Sequence, residues 1–429
     1  MFPARMGKFW ISVLAAMAAL AAPESTAART WSAAELADLE LAAETAPREG
    51  LPVPAALSRV AERGHLHNLG LVAAAELDAA ADALFREMAY AYARGAIDPG
   101  AVGADWHIPR PEPNMADLEQ ALDGGWRPSM VLAGLLPASP EYRALRDALA
   151  ALEADENASG RAARLAQLRA NMERWRWLPR ETPPERLEVR IAQYEVIFHR
   201  GGGAPAMTHN VIVGARSTPT PVFAATLQSV TVNPYWTPPS SILLNELLPR
   251  FRRNPNAAAR EGYEAIDGNG QVVAPGAVNW SARPFPYQLR QTPGAHNALG
   301  QIRFNLPNPF AVYLHDTPSK RLFERANRAL SHGCIRVQSP TELAAAVLND
   351  RNWSREALEA AMSQGASQTI PLGAPIPVYV LYFTTALDQS GQVVYLDDIY
   401  RRDRAVVAAL DRYAARSVAS LERSELCSP

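Results

Sequence analysis

His315 and Cys334 stand 19 positions apart in a chain that holds only two cysteines. They occupy the stretches Tyr313-Leu-His315-Asp-Thr-Pro318 and Ser331-His332-Gly333-Cys334-Ile335-Arg336-Val337. A thiol becomes a nucleophile when a nearby base takes its proton, and imidazole is the side chain suited to that role near neutral pH. Gly333, directly before the cysteine, lets the backbone turn tightly and aim N–H groups at a reacting carbonyl, as an oxyanion hole requires. Cys334 is therefore the candidate nucleophile and His315 the candidate base. The N–H groups of Gly333 and Cys334 are the candidate oxyanion donors, and losing one such donor typically costs about 2.7–4 kcal/mol of transition-state stabilisation. The pattern predicts acyl transfer through a cysteine.

Neighbouring residues extend the candidate site. Asp316 follows the base, but in an extended segment its carboxylate points to the opposite face. Arg336 carries the planar fork that matches a carboxylate; a substrate carboxylate and a structural ion pair both stand open as its partner. Tyr313 and Trp236 are candidate walls of a substrate groove, with aromatic core packing as the competing reading. His332 is a candidate for binding the reacting carbonyl or the substrate. Against catalysis stands the common fate of a lone cysteine, burial in a core. A disulfide to Cys427 would occupy the thiol that the His-Gly-Cys turn is built to expose. Positions 332 and 334 are too close for usual zinc-ligand spacing and no Cys-x-x-Cys occurs, so no metal is expected.

The two motif segments resemble the signature of the L,D-transpeptidases, whose catalytic unit is the YkuD-type domain. Val211-Ile-Val-Gly214, Val232-Asn-Pro-Tyr-Trp236-Thr-Pro-Pro239, Pro293-Gly-Ala-His-Asn-Ala-Leu-Gly300 and Phe304-Asn-Leu-Pro307 are similar to segments of its large periplasmic branch, which carries a capping insertion over the site. The resemblance implies that a backbone carbonyl just after the histidine orients the imidazole, so the main chain of Asp316 takes that role in place of its carboxylate. It also implies that the imidazole of His332 is dispensable, since some large relatives have serine there. The implied reaction is attack by Cys334 on the carbonyl between meso-diaminopimelate and the terminal D-alanine of a tetrapeptide stem. D-alanine leaves, and the thioester passes to the amine of a neighbouring diaminopimelate, giving a 3–3 cross-link and requiring no cofactor. Carbapenem acylation of the same cysteine is implied too. The partners implied are peptidoglycan stem peptides as donor and acceptor, together with periplasmic cell-wall proteins. An L,D-carboxypeptidase, with water as acceptor, uses the same first half-reaction, and an inactive wall-binding scaffold is the alternative of a different class.

These residues must be positioned by a multidomain α+β chain: an N-terminal α-helical scaffold domain and a mostly-β catalytic domain with a capping insertion. A secretory signal is read over residues 1–27, from Arg5 and Lys8, the apolar run Phe9 to Ala22, and small residues ending at Ala27. Residues 28–180 read as helical. Ser32-Ala-Ala-Glu35 forms a capping box, Leu71 to Arg94 carries apolar residues at helical spacing, and helices follow over Met115 to Asp123, Glu141 to Asp155 and Arg161 to Trp175. His65 and His67 read as a surface turn. A linker is read from Ile108 to Pro113.

Residues 181–400 read as the catalytic domain. Strands are predicted over Leu187 to Ile191, Tyr194 to Phe198, a stretch ending at Val213, Val222 to Val232, Ile302 to Phe304, Ala311 to Leu314, Val378 to Phe383 and Val393 to Leu396. The insertion spans about residues 238–283, Thr341 to Leu348 reads as a helix, and residues 401–429 as a C-terminal helix and tail. Only about thirty residues separate Tyr142 from Trp175, which leaves no room there for the peptidoglycan-binding module common in large relatives. At 429 residues two domains are expected, with 48% hydrophobic and 20% charged residues typical of a globular protein. A net charge of −2 lacks the basic excess that nucleic-acid binding would need. No segment after the signal approaches 18 uninterrupted apolar residues, so the mature chain is expected to be soluble in the periplasm.

Overall fold

The computed structural model describes residues 29–425. The expected signal segment and Cys427 lie outside them. The helical half begins with α1 (Ala33–Glu44), α2 (Leu57–Asn68) and α3 (Ala74–Arg94). Strand β1 (Trp106–His107) follows, then α4 (Met115–Asp123), α5 (Pro128–Ala133), α6 (Pro140–Ala154) and α7 (Arg161–Trp177). Ser32 caps α1 reciprocally with Glu35, as its capping box predicts. Leu84, Phe85 and Met88 bury the apolar stripe of α3 in a core shared with α1. The predicted helix from Leu71 is shorter, because residues 69–73 form the turn between α2 and α3. His65 and His67 lie in the last turn of α2 rather than in a surface turn. Among the described residues no helix is long and apolar enough to cross a membrane.

Strands β2 (Glu185–Arg190), β3 (Glu195–Arg200), β4 (Met207–Gly214) and β5 (Val222–Val232) begin the second half. Helices α8 (Ser240–Ile242), α9 (Leu248–Arg253) and α10 (Pro255–Arg260) come next, with β6 (Tyr263–Ile266), β7 (Val272–Val273) and β8 (Gln288–Gln291) after them. The chain continues through β9 (Ile302–Asn305), β10 (Leu314–His315), β11 (Ala329–Ser331) and β12 (Ile335–Val337). Helices α11 (Pro340–Leu348) and α12 (Arg355–Ser363) lead to β13 (Gln368–Leu381), β14 (Thr385–Leu387), β15 (Val393–Tyr395) and α13 (Asp403–Glu425).

One sheet runs β5–β13–β2–β3–β4–β12–β10–β9, and β9 pairs back with β5 to close it. Closure leaves the alternate side chains of every strand facing one interior. Val189, Phe198, Val230, Phe304, Leu314, Ile335 and Val380 fill it and are buried. The helical half is not separate from this sheet: β1 adds to β5 in parallel, with Trp106 opposite Val222. The strand predicted at Val393 pairs with β14 in a small sheet of its own.

Between β5 and β9 a second small core forms. The helix α8 continues through a π-helical turn (Leu243–Leu247) into α9, and Phe251 packs edge-on against Tyr263 and Trp280. The three-stranded sheet β7–β6–β8 backs these rings. This unit occupies the region read from sequence as the insertion, and it reaches past residue 283 to β8.

Helix α7 joins the halves. From one face Asn171 exchanges two hydrogen bonds with Thr384, and Gln167 donates to the carbonyls of Thr384 and Leu396. From another, the fully buried Glu173 accepts from the Ile97 N–H (2.7 Å), Arg176 (2.7 Å) and the Trp177 indole (3.2 Å). Arg176 in turn donates to the Tyr142 hydroxyl and the Glu49 carbonyl. A buried ion pair contributes little net stability when intact, but losing one partner strands the other charge. Glu173→Ala should therefore destabilise the protein by about 3–5 kcal/mol. Denaturant unfolding checks this, and a loss below about 1 kcal/mol would contradict it.

Candidate active site

The register of two neighbouring strands assembles the site. β10 and β12 run parallel, with Leu314 opposite Ile335 and His315 opposite Arg336. Cys334 therefore sits one residue before the strand that flanks the histidine. The predicted strand from Ala311 is cut to Leu314–His315, because Ala311 has a left-handed φ of 53° and cannot continue the ladder. That kink turns the Ala311 carbonyl toward the thiol, 3.7 Å from Sγ.

Gly333 adopts φ 111°, a conformation strained for any side-chain-bearing residue. The turn is pinned from two sides. Thr220, fully buried between β4 and β5, donates from Oγ1 to the Gly333 carbonyl (2.8 Å) and accepts from the Gly214 N–H (2.9 Å). Ser331 donates from Oγ to the Cys334 carbonyl (2.5 Å) and accepts the Gly333 N–H (3.1 Å). This last bond corrects the sequence reading of the oxyanion hole: the Gly333 donor is spent inside the turn. The Cys334 N–H has no acceptor among the described residues and remains the candidate donor. Gly333 serves through its backbone conformation.

His315 is buried, and its Nδ1 donates to the Asp316 carbonyl, which makes Nε2 the candidate base. The Asp316 carboxylate points elsewhere, to the Gln301 N–H (2.9 Å) and the Lys320 ammonium. Gly300 makes room for it, since a Cβ there would stand 2.3 Å from Asp316 Oδ2. Burial, then the positive charge of Arg336, pushes the imidazole pKa down to about 3. The carbonyls of Asp316 and Leu299 oppose that shift, and Arg303 adds to it. Both arginines follow from register, because Arg303 and Arg336 are the residues paired with His315 on its two flanking strands. Burial also raises the Cys334 thiol above its ordinary value, against the opposing pull of Tyr313 and Arg336. With the thiol raised and the imidazole lowered, the free site favours the uncharged form of both groups.

Tyr313 faces the sulfur with both its hydroxyl and its main chain, and the Trp236 indole hydrogen-bonds that hydroxyl. Trp236 is itself packed in the second core against Tyr263, so it touches the site through Tyr313. Arg336 has no acidic partner among the described residues, and its buried Nε has no hydrogen-bond acceptor. His332 points outward, half exposed, and its Nε2 lies 2.8 Å from Glu246 of the π-helical turn. Thr220, Ser331 and Glu246 carry no motif signal of their own. Only Ser331, inside the Ser-His-Gly-Cys run, was within reach of sequence reasoning.

The candidate nucleophile on its glycine turn, the candidate base oriented by a main-chain carbonyl and an unpaired backbone donor lie together at the rim of a closed β-sheet. Residues 184–378 match the family model of the L,D-transpeptidase catalytic domain, and residues 25–149 match that of a scaffold domain. Residues 184–378 therefore belong to the L,D-transpeptidase catalytic domain family, behind an N-terminal helical scaffold region. The chain is also 37% identical over 220 residues to a Haemophilus influenzae protein named "Putative L,D-transpeptidase". That alignment covers 51% of this chain and 44% of the relative, less than half its length.

The buried imidazole makes folding depend on pH. The unfolded chain takes up a proton on His315 below about 6.5, and the native state does so only near 3. Across that interval the unfolded state binds more protons, so stability falls as pH falls, by at most about 1.4 kcal/mol per pH unit from this group. His315→Gln should flatten the slope between pH 6.5 and 3. Denaturant midpoints across that range test it, and identical slopes in variant and parent would refute the burial argument.

Proposed function

We propose that this chain is a periplasmic L,D-transpeptidase that forms 3–3 cross-links between peptidoglycan stem peptides. The observation that carries the reading is the Cys334 thiol, held against Tyr313 and the Ala311 carbonyl beside an imidazole whose Nδ1–H is fixed. In the first step the sulfur attacks the carbonyl between diaminopimelate and the terminal D-alanine. A C–S bond forms, the C–N bond breaks, and the thiol proton passes through His315 to the leaving amine. The Cys334 N–H stabilises the oxyanion. In the second step an acceptor amine attacks the thioester carbon, C–N forms, C–S breaks, and a proton returns through His315 to the sulfur.

Arg336 supports this reading as a carboxylate anchor for the donor stem, since its guanidinium lacks an acidic partner and stands beside the thiol. The insertion reaches the site through Glu246, 2.8 Å from His332, and a cap closing there would exclude water and favour transfer over hydrolysis. Incubation with disaccharide-tetrapeptide should yield a dimer lighter than two substrates by one D-alanine, read by mass spectrometry. Cys334→Ala should yield none while keeping its fold. Monomeric tripeptide as sole product would make the enzyme a carboxypeptidase, and alanine release by Cys334→Ala at the parental rate would overturn the mechanism.

A further inference from the structure

The scaffold half reaches the turn that precedes Cys334. A cavity of about 610 Å³ is bounded by Asp105 from the helical half, Phe310 and Val312, the His332–Gly333 turn, and Arg401 and Arg402. Two observations set it beside the turn that carries Cys334: its walls include the residue directly before Cys334, and both neighbours of Ala311, whose carbonyl the sulfur addresses. Its charge is cationic in balance. Asp105 is already engaged by Arg402 and by His107 (2.9 Å). Arg401 is exposed and has no ion-pair partner among the described residues. Arg402 lies over the rings of Tyr382 and Tyr400, and its Nη1 has no hydrogen-bond acceptor. Asp105 and Arg401 both hold left-handed φ angles, 51° and 56°, so two strained residues frame the same space.

Transfer between two stems sets a requirement that hydrolysis does not. Donor and acceptor each carry carboxylates, and both must be held while the amine reaches the thioester. Guanidinium groups are the side chains suited to holding them. One anchor beside the thiol, Arg336, serves one stem. We propose that the cavity lined by Asp105, Arg401 and Arg402 is the acceptor subsite, binding the carboxylate of the stem whose diaminopimelate amine attacks the thioester. The scaffold half then contributes a wall of the substrate site as well as an added strand. The inference rests on the reading of the chain as a transferase.

Arg401→Asn tests it with little risk to folding, because the side chain is exposed and asparagine tolerates a left-handed φ. Arg402→Gln is the second variant. Two quantities are read with the full chain and disaccharide-tetrapeptide: the rate at which Cys334 gains the donor mass in a single turnover, and the acceptor concentration giving half-maximal dimer formation. The acceptor concentration should rise about tenfold, as for loss of one charged hydrogen bond. Donor acylation should stay within about twofold of the parent, well under the energy of one such bond. Unchanged acceptor dependence in Arg401→Asn overturns the subsite, as does a parallel fall in acylation, which would assign the cavity to the donor. A parent that never acquires the donor mass would instead remove the transferase reading itself, and the subsite with it.

Discussion

The parallel pairing of Leu314–His315 with Ile335–Arg336 is the constraint on which the rest depends. Two short strands in register bring a histidine and a cysteine from distant positions into one rim. A slip of one residue would turn each side chain to the opposite face and separate them. The closed sheet resists such a slip, because Leu314 and Ile335 face its packed interior and are buried. The same register brings Arg303 and Arg336 alongside the imidazole, where their charge adds to burial, the larger cause, in lowering its proton affinity and keeping it uncharged. Position and proton affinity therefore share one origin.

Around that pairing the polar groups are matched with few exceptions. Ser331 and Thr220 tie down the nucleophile turn, Asp316 divides its carbonyl and carboxylate between His315 and the Gly300 turn, and α7 clamps the helical half to the sheet. Matching of this kind fixes geometry, because every buried donor that loses its acceptor is costly. The groups left over at the site are the Cys334 N–H and the guanidinium of Arg336, with Arg402 nearby. Unmatched donors beside the candidate nucleophile are where an oxyanion and carboxylates would find partners.

Much of this was legible in the residues. The His-to-Cys block pointed to the segments that meet at the candidate site, strict alternation marked β2, and the capping box at Ser32 placed the start of α1. The misses have physical reasons. Alternation cannot show a left-handed Ala311, so the strand before His315 was drawn too long. A glycine turn suggested two N–H donors, but Ser331, three positions before the cysteine, consumes one. Trp106–His107 is too short to carry a periodic signal, and its pairing to β5 depends on tertiary contact alone. Arg402, Thr220 and Glu246 lie far from the motif in sequence, and only folding brings them beside it.

The central claim is that the free enzyme stores a neutral thiol beside a neutral imidazole, so that charge develops only once substrate is bound. The direct measurement is the rate of Cys334 alkylation by iodoacetamide as a function of pH. The account predicts a rate that climbs continuously through neutral pH and levels only above the ordinary thiol range, since burial raises the thiol. A plateau established between about pH 5 and 7, the mark of a thiolate–imidazolium pair already formed, would contradict it.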